Sequence, residues 1–391
     1  MKIGLISYTF SPAPMTGPIR HVGALAKGLA KRGHEVAIVT SLADVPPRTV
    51  SDETEAGVHV IRLRVVGRWG HWIRCPALRS TLANERFDIV HSQGYRNYFT
   101  DVAASFSTAT RTPFIITPRG SLLGYRHIKQ GWVRALPNIA YDAITLRRAL
   151  RDAVLVVSSA QEKQDALAIG LFGERIRVIP YGIDRDQMPV VKAPRRGTGT
   201  KFIFVGRIAF QRNLEFLIRA FSVAVIKRPA LSLTLVGEHI PSRYNRLELN
   251  YPIMIRKLVA DLAMQSKVRF TGPLRGRDLW EAYMASDIFV YTSRYDNFGH
   301  ALVEAASLGL PIISTSVGVA PDLVGGSAGG ILVGHDDISG LANAMVYASS
   351  NPQWREQKSS FLLERSKQYD LDANVKAHEE LYETMVEATA R

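Results

Sequence analysis

Two successive series of short Val- and Ile-rich runs, each run followed by an amphipathic stretch, limit this chain to few architectures. "KIGLISY" (2–8) reads as a strand and is followed by a Pro/Gly loop. "HVGALAKGLAKRG" (21–33) then places Val22, Leu25, Ala26 and Leu29 at helical spacing, with Gly33 as its stop. "EVAIVTS" (35–41) is the next strand, and "VHVIRL", "FDIVHSQ", "FIITPRG", "AVLVVSS" and "IRVIPYG" continue the series. Continuously apolar strands alternating with helices predict a parallel sheet covered on both faces. "VVKAPRRGTGT" (190–200) interrupts the pattern and reads as a linker. "KFIFVGR", "LSLTLVG", "VRFTG", "DIFVYTS", "LPIISTS" and "GGILVG" form a second series, and helices close the chain at 338–350, 354–368 and 372–389. The expected fold is α/β, with two doubly wound Rossmann-like domains in series and a cleft between them. The domains span 1–190 and 191–372, and the helix 373–391 is a candidate to pack back on the first domain.

Composition narrows the function classes. At 391 residues and 46% hydrophobic content the chain can fill two cores. No run of eighteen apolar residues occurs, so no membrane-spanning helix is expected. The N-terminal apolar run is short and carries no small-residue cleavage site, which predicts a cytoplasmic protein. The single cysteine, Cys75, fits a reducing compartment and an inert packing role. The net charge of +14 is concentrated in residues 1–190, which hold 25 Lys and Arg against 15 Asp and Glu. An anionic membrane face, a phosphorylated substrate or a plain solvated face would each account for it. Nucleic acid is not expected as a partner, because no binding motif and no alternation of basic with aromatic residues accompanies the charge.

The stretch "SRYDNFGHALVEAASLGLP" (293–311) concentrates the chemistry. It leaves the carboxyl end of a predicted strand, where ligands of such sheets bind. A helix is expected to start near Gly299, whose lack of a side chain lets a ligand approach the backbone. The N–H groups of Gly299, His300 and Ala301, with the helix dipole, favour an anion there. Glu304 follows about 6 Å further along the axis, placed to accept two hydrogen bonds from a vicinal diol such as ribose. Asp296 lies on the other side of the anion. The arrangement suits a nucleotide diphosphate carrying a second polyhydroxylated group.

The same stretch resembles the signature of the group 1 glycosyltransferases (glycosyltransferase family 4), retaining enzymes of GT-B fold. Their pattern is Ser-x-x-Glu-x-Phe-Gly, then Glu-Ala, then Gly-x-Pro. "GPIRHVGALAKGLAKRGHEVAIVTS", "DIVHSQG", "VIPYGID" and "FIFVGRI" are similar to further family segments, in the family's order. The resemblance implies that Glu304 binds the donor's ribose and that Asp296 faces the transferred sugar. Arg207 and Arg212 then form the phosphate cradle, where the family has Arg and Lys; arginine keeps the charge and binds phosphate bidentately. Phe298, Gly299, His300, Ala301 and Gly17 fall at the donor, and Gly237 and Phe270 in loops expected to read the base. Near the donor phosphates the family's Gly-Gly is Gly17-Pro18 here, which removes one N–H. Many members have His where this chain has Arg119; an arginine stays protonated and can hold an anion but takes no proton. His91 and His21 are cleft candidates in the first domain, His91 at a strand's carboxyl end.

The implied reaction breaks the bond between the anomeric carbon and a diphosphate oxygen, with the leaving phosphate helping to take the acceptor proton. Arg207, Arg212 and the helix start stabilise the charge that grows on the diphosphate. No cofactor is expected beyond the nucleotide-sugar donor, UDP- or GDP-linked, and no metal. Asp184 and Asp186 form an Asp-x-Asp just before the linker, and it reads as structural. The acceptor is expected to be a glycan or a lipid-linked hydroxyl bound by the first domain, in envelope polysaccharide or glycolipid synthesis. The basic, Trp-containing segment 125–151 is a candidate to lie on an anionic membrane surface; it reads equally as a buried helix with a solvated face. A nucleotide-sugar epimerase or hydrolase of the same fold, or an inactive nucleotide-binding scaffold, are the rival readings.

Overall fold

A computed structural model describes the chain apart from residues 12–16, 47, 70–71, 123–135, 137, 143–152, 172, 187, 192–199, 240–248 and 391. It divides into two compact units, Met1–Gly182 with Leu371–Arg391, and Ile183–Asp370.

The first unit is built on an eight-stranded sheet in the order β10-β9-β8-β7-β1-β2-β4-β3. Its strands are β1 (Lys2–Ile6), β2 (Glu35–Ser41), β3 (Asp52–Glu55), β4 (Val58–Leu63), β7 (Ile89–Gln93), β8 (Phe114–Thr117), β9 (Val154–Val157) and β10 (Ile176–Val178). All neighbours pair in parallel except β3 with β4. Adjacent residues of one strand feed opposite cores. Val90, Ile116 and Leu155 pack under helices Leu78–Glu85 and Tyr98–Thr110, while Ile89, Ile115 and Val156 pack with Val22, Leu25, Val375 and Tyr382 of helices Gly17–Lys31 and Leu371–Ala390. Double-sided burial explains the continuous apolar runs. Helix Leu371–Ala390 lies close against helix Gly17–Lys31: a Cβ on Gly28 would come within 2.4 Å of Val375.

The second unit carries six parallel strands in the order β13-β12-β11-β14-β15-β16. They are β11 (Lys201–Val205), β12 (Ser232–Val236), β13 (Val268–Gly272), β14 (Ile288–Tyr291), β15 (Ile312–Thr315) and β16 (Gly330–Val333). The sheet order reverses between β11 and β14, so their carboxyl ends frame the switch point at which such sheets hold ligands.

Three features depart from the sequence expectation. β3, "DETE", is a polar edge strand with no apolar alternation to announce it. A separate two-stranded ribbon, β5 (Gly67–Trp69) with β6 (Trp72–Arg74), lies outside both sheets. The unit boundaries also lie before the expected 190/191 and 372/373. Ile183 bridges Asp370, and Arg185 donates to the carbonyl of Ser366 at 2.5 Å, which ties 183–190 to the second unit. Most of the expected linker (192–199) and most of the basic segment 125–151 lie outside the described residues.

Candidate active site

Two loops of the second unit are laced together at the switch point. One follows β11 and runs through the 3₁₀ turn Phe210–Arg212 to Asn213, whose φ of 53° is left-handed. The other follows β14 through Thr292 to Asn297. Arg294 donates its backbone N–H to the Gln211 carbonyl (2.9 Å), Gln211 Nε2 donates to the Tyr295 carbonyl (2.7 Å), and Thr292 Oγ1 donates to the Arg212 carbonyl (3.0 Å). Asn213 and Arg294 meet on Asp336, at 2.9 and 3.1 Å. The sequence brings these residues together because both strands end in polar, turn-forming segments.

The lacing places Arg212 on Asp296. Arg212 Nη1 donates to Asp296 Oδ2, to the Tyr291 hydroxyl and, at 3.0 Å, to Ser293 Oγ. Tyr291 donates its hydroxyl to the same Asp296 oxygen, and the Phe298 N–H approaches Oδ1 at 3.4 Å. Burial alone would raise the Asp296 pKa, but the Arg212 charge and the Tyr291 hydroxyl outweigh it and hold the carboxyl below its usual range. Burial also works against the Arg212 charge, and Asp296 reverses that effect, so the guanidinium stays charged. Arg207, at the end of β11, is exposed, and its Nη2 lies 3.5 Å from Gln211 Oε1.

The helix His300–Ser307 starts from Gly299, whose φ of 90° excludes most side chains, and no side chain caps it. Glu304 stands in its second turn and accepts from the Tyr283 hydroxyl at 2.9 Å. Tyr283 is fully buried, so this bond fixes the carboxylate from beneath. His300 and Ala301 are half-buried at the helix start.

Several candidates take structural places. Phe298 is buried, edge-on to His300 and Tyr369, so its ring is core and not a donor platform. Gly237, at φ 147°, would drive a Cβ to 1.8 Å from the Gly206 carbonyl oxygen, so close backbone packing explains this glycine. Phe270, on edge strand β13, is covered by the Arg256 guanidinium at 4.4 Å. Asp184 Oδ1 accepts the Asp186 N–H at 3.0 Å, a local turn.

In the first unit His91 does not sit at an open strand end. It is fully buried, with Nδ1 on the Tyr382 hydroxyl (2.6 Å) and Nε2 on Thr117 Oγ1 (2.8 Å). Burial holds its pKa well below the usual value, and neighbouring His378 and Arg119 add to this. His21 is buried as well, 3.1 Å from Asn374 Oδ1 and 4.5 Å from the Tyr181 ring. His91 joins the C-terminal helix to the sheet, and His21 joins it to helix Gly17–Lys31. Gly17 is the first residue of its helix.

Arg119 follows β8 at φ 55°. Its Nη2 donates to Gln93 Oε1, and its guanidinium lies 5.5 Å from the Tyr181 ring centre. Sequence reasoning missed what holds this corner. Fully buried Glu162 accepts from the Gly120 N–H (2.6 Å) and from both the N–H and hydroxyl of Ser158 (2.8 Å each). Burial raises its pKa, and the Ser158 and Gly120 donors oppose that. The signal was present as Ser159-x-x-Glu162, a capping box in which the Glu turns away to brace the β8 loop. Tyr283 and Tyr291 were missed because each reads as ordinary core. Among the described residues no group of three or more His, Cys, Asp or Glu side chains converges as metal ligands.

Known proteins share this organisation. The family model for a glycosyl transferase 4-like domain matches residues 16–182, and that for glycosyl transferases group 1 matches residues 190–361. An uncharacterized glycosyltransferase of Methanocaldococcus jannaschii is 24% identical over 352 residues, 85% of each chain. Sucrose-phosphate synthase from Thermosynechococcus elongatus superposes with a TM-score of 0.78 at 21% identity, over 99% of both chains. Anabaena HepE, solved in complex with UDP, superposes with a TM-score of 0.76 at 19% identity, over 98% of this chain and 100% of that one. The chain belongs to the group 1 glycosyltransferases of GT-B fold, with a family 4-like first domain.

Proposed function

We propose that the protein is a retaining glycosyltransferase that moves a sugar from a UDP- or GDP-linked donor to a hydroxyl of a glycan or lipid-linked acceptor, without a metal or other cofactor, in envelope polysaccharide or glycolipid synthesis. The observation that carries this reading is the lacing of the β11 and β14 loops, which sets Arg207, Arg212 and Asp296 beside the helix that bears Glu304. The UDP bound by Anabaena HepE supports a nucleotide donor.

In this reading Glu304, steadied by Tyr283, accepts the ribose hydroxyls. Arg207, Arg212 and the helix start at Gly299, His300 and Ala301 take the diphosphate. Charge grows on that group as the glycosidic bond breaks, so fixed cations there lower the barrier. Asp296 keeps the sugar-facing place that the resemblance gives it, and it also acts on the leaving group by holding Arg212. Arg119 supplies a half-buried charge to the acceptor side and takes no proton. The leaving phosphate is left to receive the acceptor proton, as front-face retention requires.

The test is incubation with a panel of UDP- and GDP-sugars and glycan or lipid-linked acceptors, with products weighed by mass spectrometry. A product heavier than the acceptor by one anhydro-sugar is expected, unaffected by chelator. Free sugar without transfer would favour an epimerase or hydrolase; donor binding with neither transfer nor free sugar would favour an inactive nucleotide-binding scaffold. Activity abolished by chelator and restored by Mg²⁺ or Mn²⁺ would overturn the metal-independent mechanism.

A further inference from the structure

The ribbon β5–β6 exposes more aromatic surface than folding explains. Trp69 is 88% exposed and Trp72 is 38% exposed, on a ribbon of three residues per strand. Trp69 pairs across the ribbon with Trp72, and Gly67 pairs with Arg74. Directly opposed residues and residues two apart share a face. Trp69, Trp72 and Arg74 therefore line one face, while Ile73, fully buried, turns the other face to the core.

The outer face is anchored from behind. Trp72 stands edge-on to Tyr98 at 6.0 Å and to Tyr141 at 6.3 Å. Tyr141 belongs to the helical stretch 138–142, which Asp142 fixes through Arg96 Nε (2.8 Å) and Nη2 (2.6 Å). Ile139 of that stretch is exposed too. The Trp72 ring thus packs on Tyr98 and Tyr141, and Trp69 is its cross-strand neighbour. Arg74 is exposed on the ribbon and Arg64 is exposed three residues before it, and Arg68 pairs with Asp44 at 2.7 Å, an exposed bond worth little in water.

We propose that this ribbon docks the first unit on an anionic lipid surface, with Trp69 at the headgroup boundary and Arg64 and Arg74 against the lipid phosphates. Tryptophan with flanking arginine suits that boundary, where one part of the residue is apolar and the other wet. Each arginine near an anionic leaflet adds attraction that falls away within a Debye length. A second copy of the chain is disfavoured as occupant, because it would bring like charges together. The inference deepens the acceptor side of the function proposed above by placing a lipid-linked acceptor within reach of the first unit.

The test is co-sedimentation of the whole protein with mixed phosphatidylcholine–phosphatidylglycerol vesicles, and with phosphatidylcholine alone, at low salt. Capture is expected on the anionic vesicles only. Trp69→Ala should weaken it about tenfold by loss of buried apolar area. Arg64→Gln and Arg74→Gln should each weaken it roughly fivefold. Ile226→Ala, which removes an 80% exposed side chain in the second unit, should change nothing. Unchanged melting temperatures keep the comparison to folded protein. No capture of the wild type, equal capture of Trp69→Ala, or loss of self-association as the only effect of Trp69→Ala would each overturn the proposal. Nucleotide binding in the same samples separates the two readings: intact nucleotide binding without vesicle capture removes the ribbon proposal alone, and vesicle capture without any nucleotide binding removes the donor reading alone.

Discussion

Tyr291 reaches Asp296 from a buried position and has no access to a donor sugar. It therefore separates two roles of Asp296. If Asp296 steadies Arg212, then Tyr291→Phe and Asp296→Asn should both weaken binding of the bare nucleoside diphosphate, the first by severalfold and the second by about tenfold. Calorimetric titration with UDP and GDP checks this; a loss confined to nucleotide sugars would return Asp296 to a purely sugar-facing role. Asp296→Asn should also lower stability by roughly 3 kcal/mol, because it strands a buried guanidinium. Glu162 invites a parallel test. Glu162→Ala leaves three donors unpaired and should cost about 3 kcal/mol in urea unfolding, whereas Glu162→Gln, which keeps one acceptor, should cost less. Equal, negligible losses in both would remove the brace assigned to the Arg119 corner. The motif made Asp296 and Glu304 legible in the sequence, since its pattern sets one acid in the loop before a helix start and the other on the helix. It could not reveal Tyr283, Tyr291 or Glu162, because a buried phenol that bonds a carboxylate and one that merely packs look the same in sequence.

Helix Leu371–Ala390 is the element whose place depends most on partners far along the chain. His378 stacks on His91 with 5.7 Å between ring centres, and its Nδ1 lies 2.8 Å from the Asn374 carbonyl, while Tyr382 bonds His91. Arg119 is the charged group that disfavours protonation of both rings; Tyr181 and His21 pack around them. Burial lowers the His378 pKa to about 4. The unfolded chain takes a proton near 6.5 and the folded one resists, so this stability is complete above 6.5 and falls as pH drops toward 4. The loss for His378 reaches roughly 3 kcal/mol. Thermal melts from pH 7 to 4.5 should therefore show a smaller acid shift for His378→Gln than for the wild type; equal shifts would exclude this histidine as the source. The strands and helices themselves were legible from periodicity, since both faces of each sheet are buried. β3 and the β5–β6 ribbon were not, because neither has an alternating apolar face.

At the scale of the whole molecule, each unit brings its own share of charged groups. The second unit sets an Arg–Asp–Tyr cluster and the Glu304 carboxylate at the switch point of its sheet. The first holds half-buried Arg119 near fully buried Glu162 and presents a basic, tryptophan-tipped ribbon. The alternating pattern announced two such units, but not where the chain crosses between them, because the crossing at Gly182–Ile183 carries no compositional break. The central claim is that the second unit grips a nucleotide diphosphate with Glu304 on its ribose. Calorimetry with UDP, GDP and their sugars on the wild type and on Glu304→Ala tests it most directly. At least one nucleotide should bind the wild type, and Glu304→Ala should weaken that binding by tenfold or more, about 1.4 kcal/mol. A wild type that binds none of them, or a Glu304→Ala variant that binds as tightly, would contradict it.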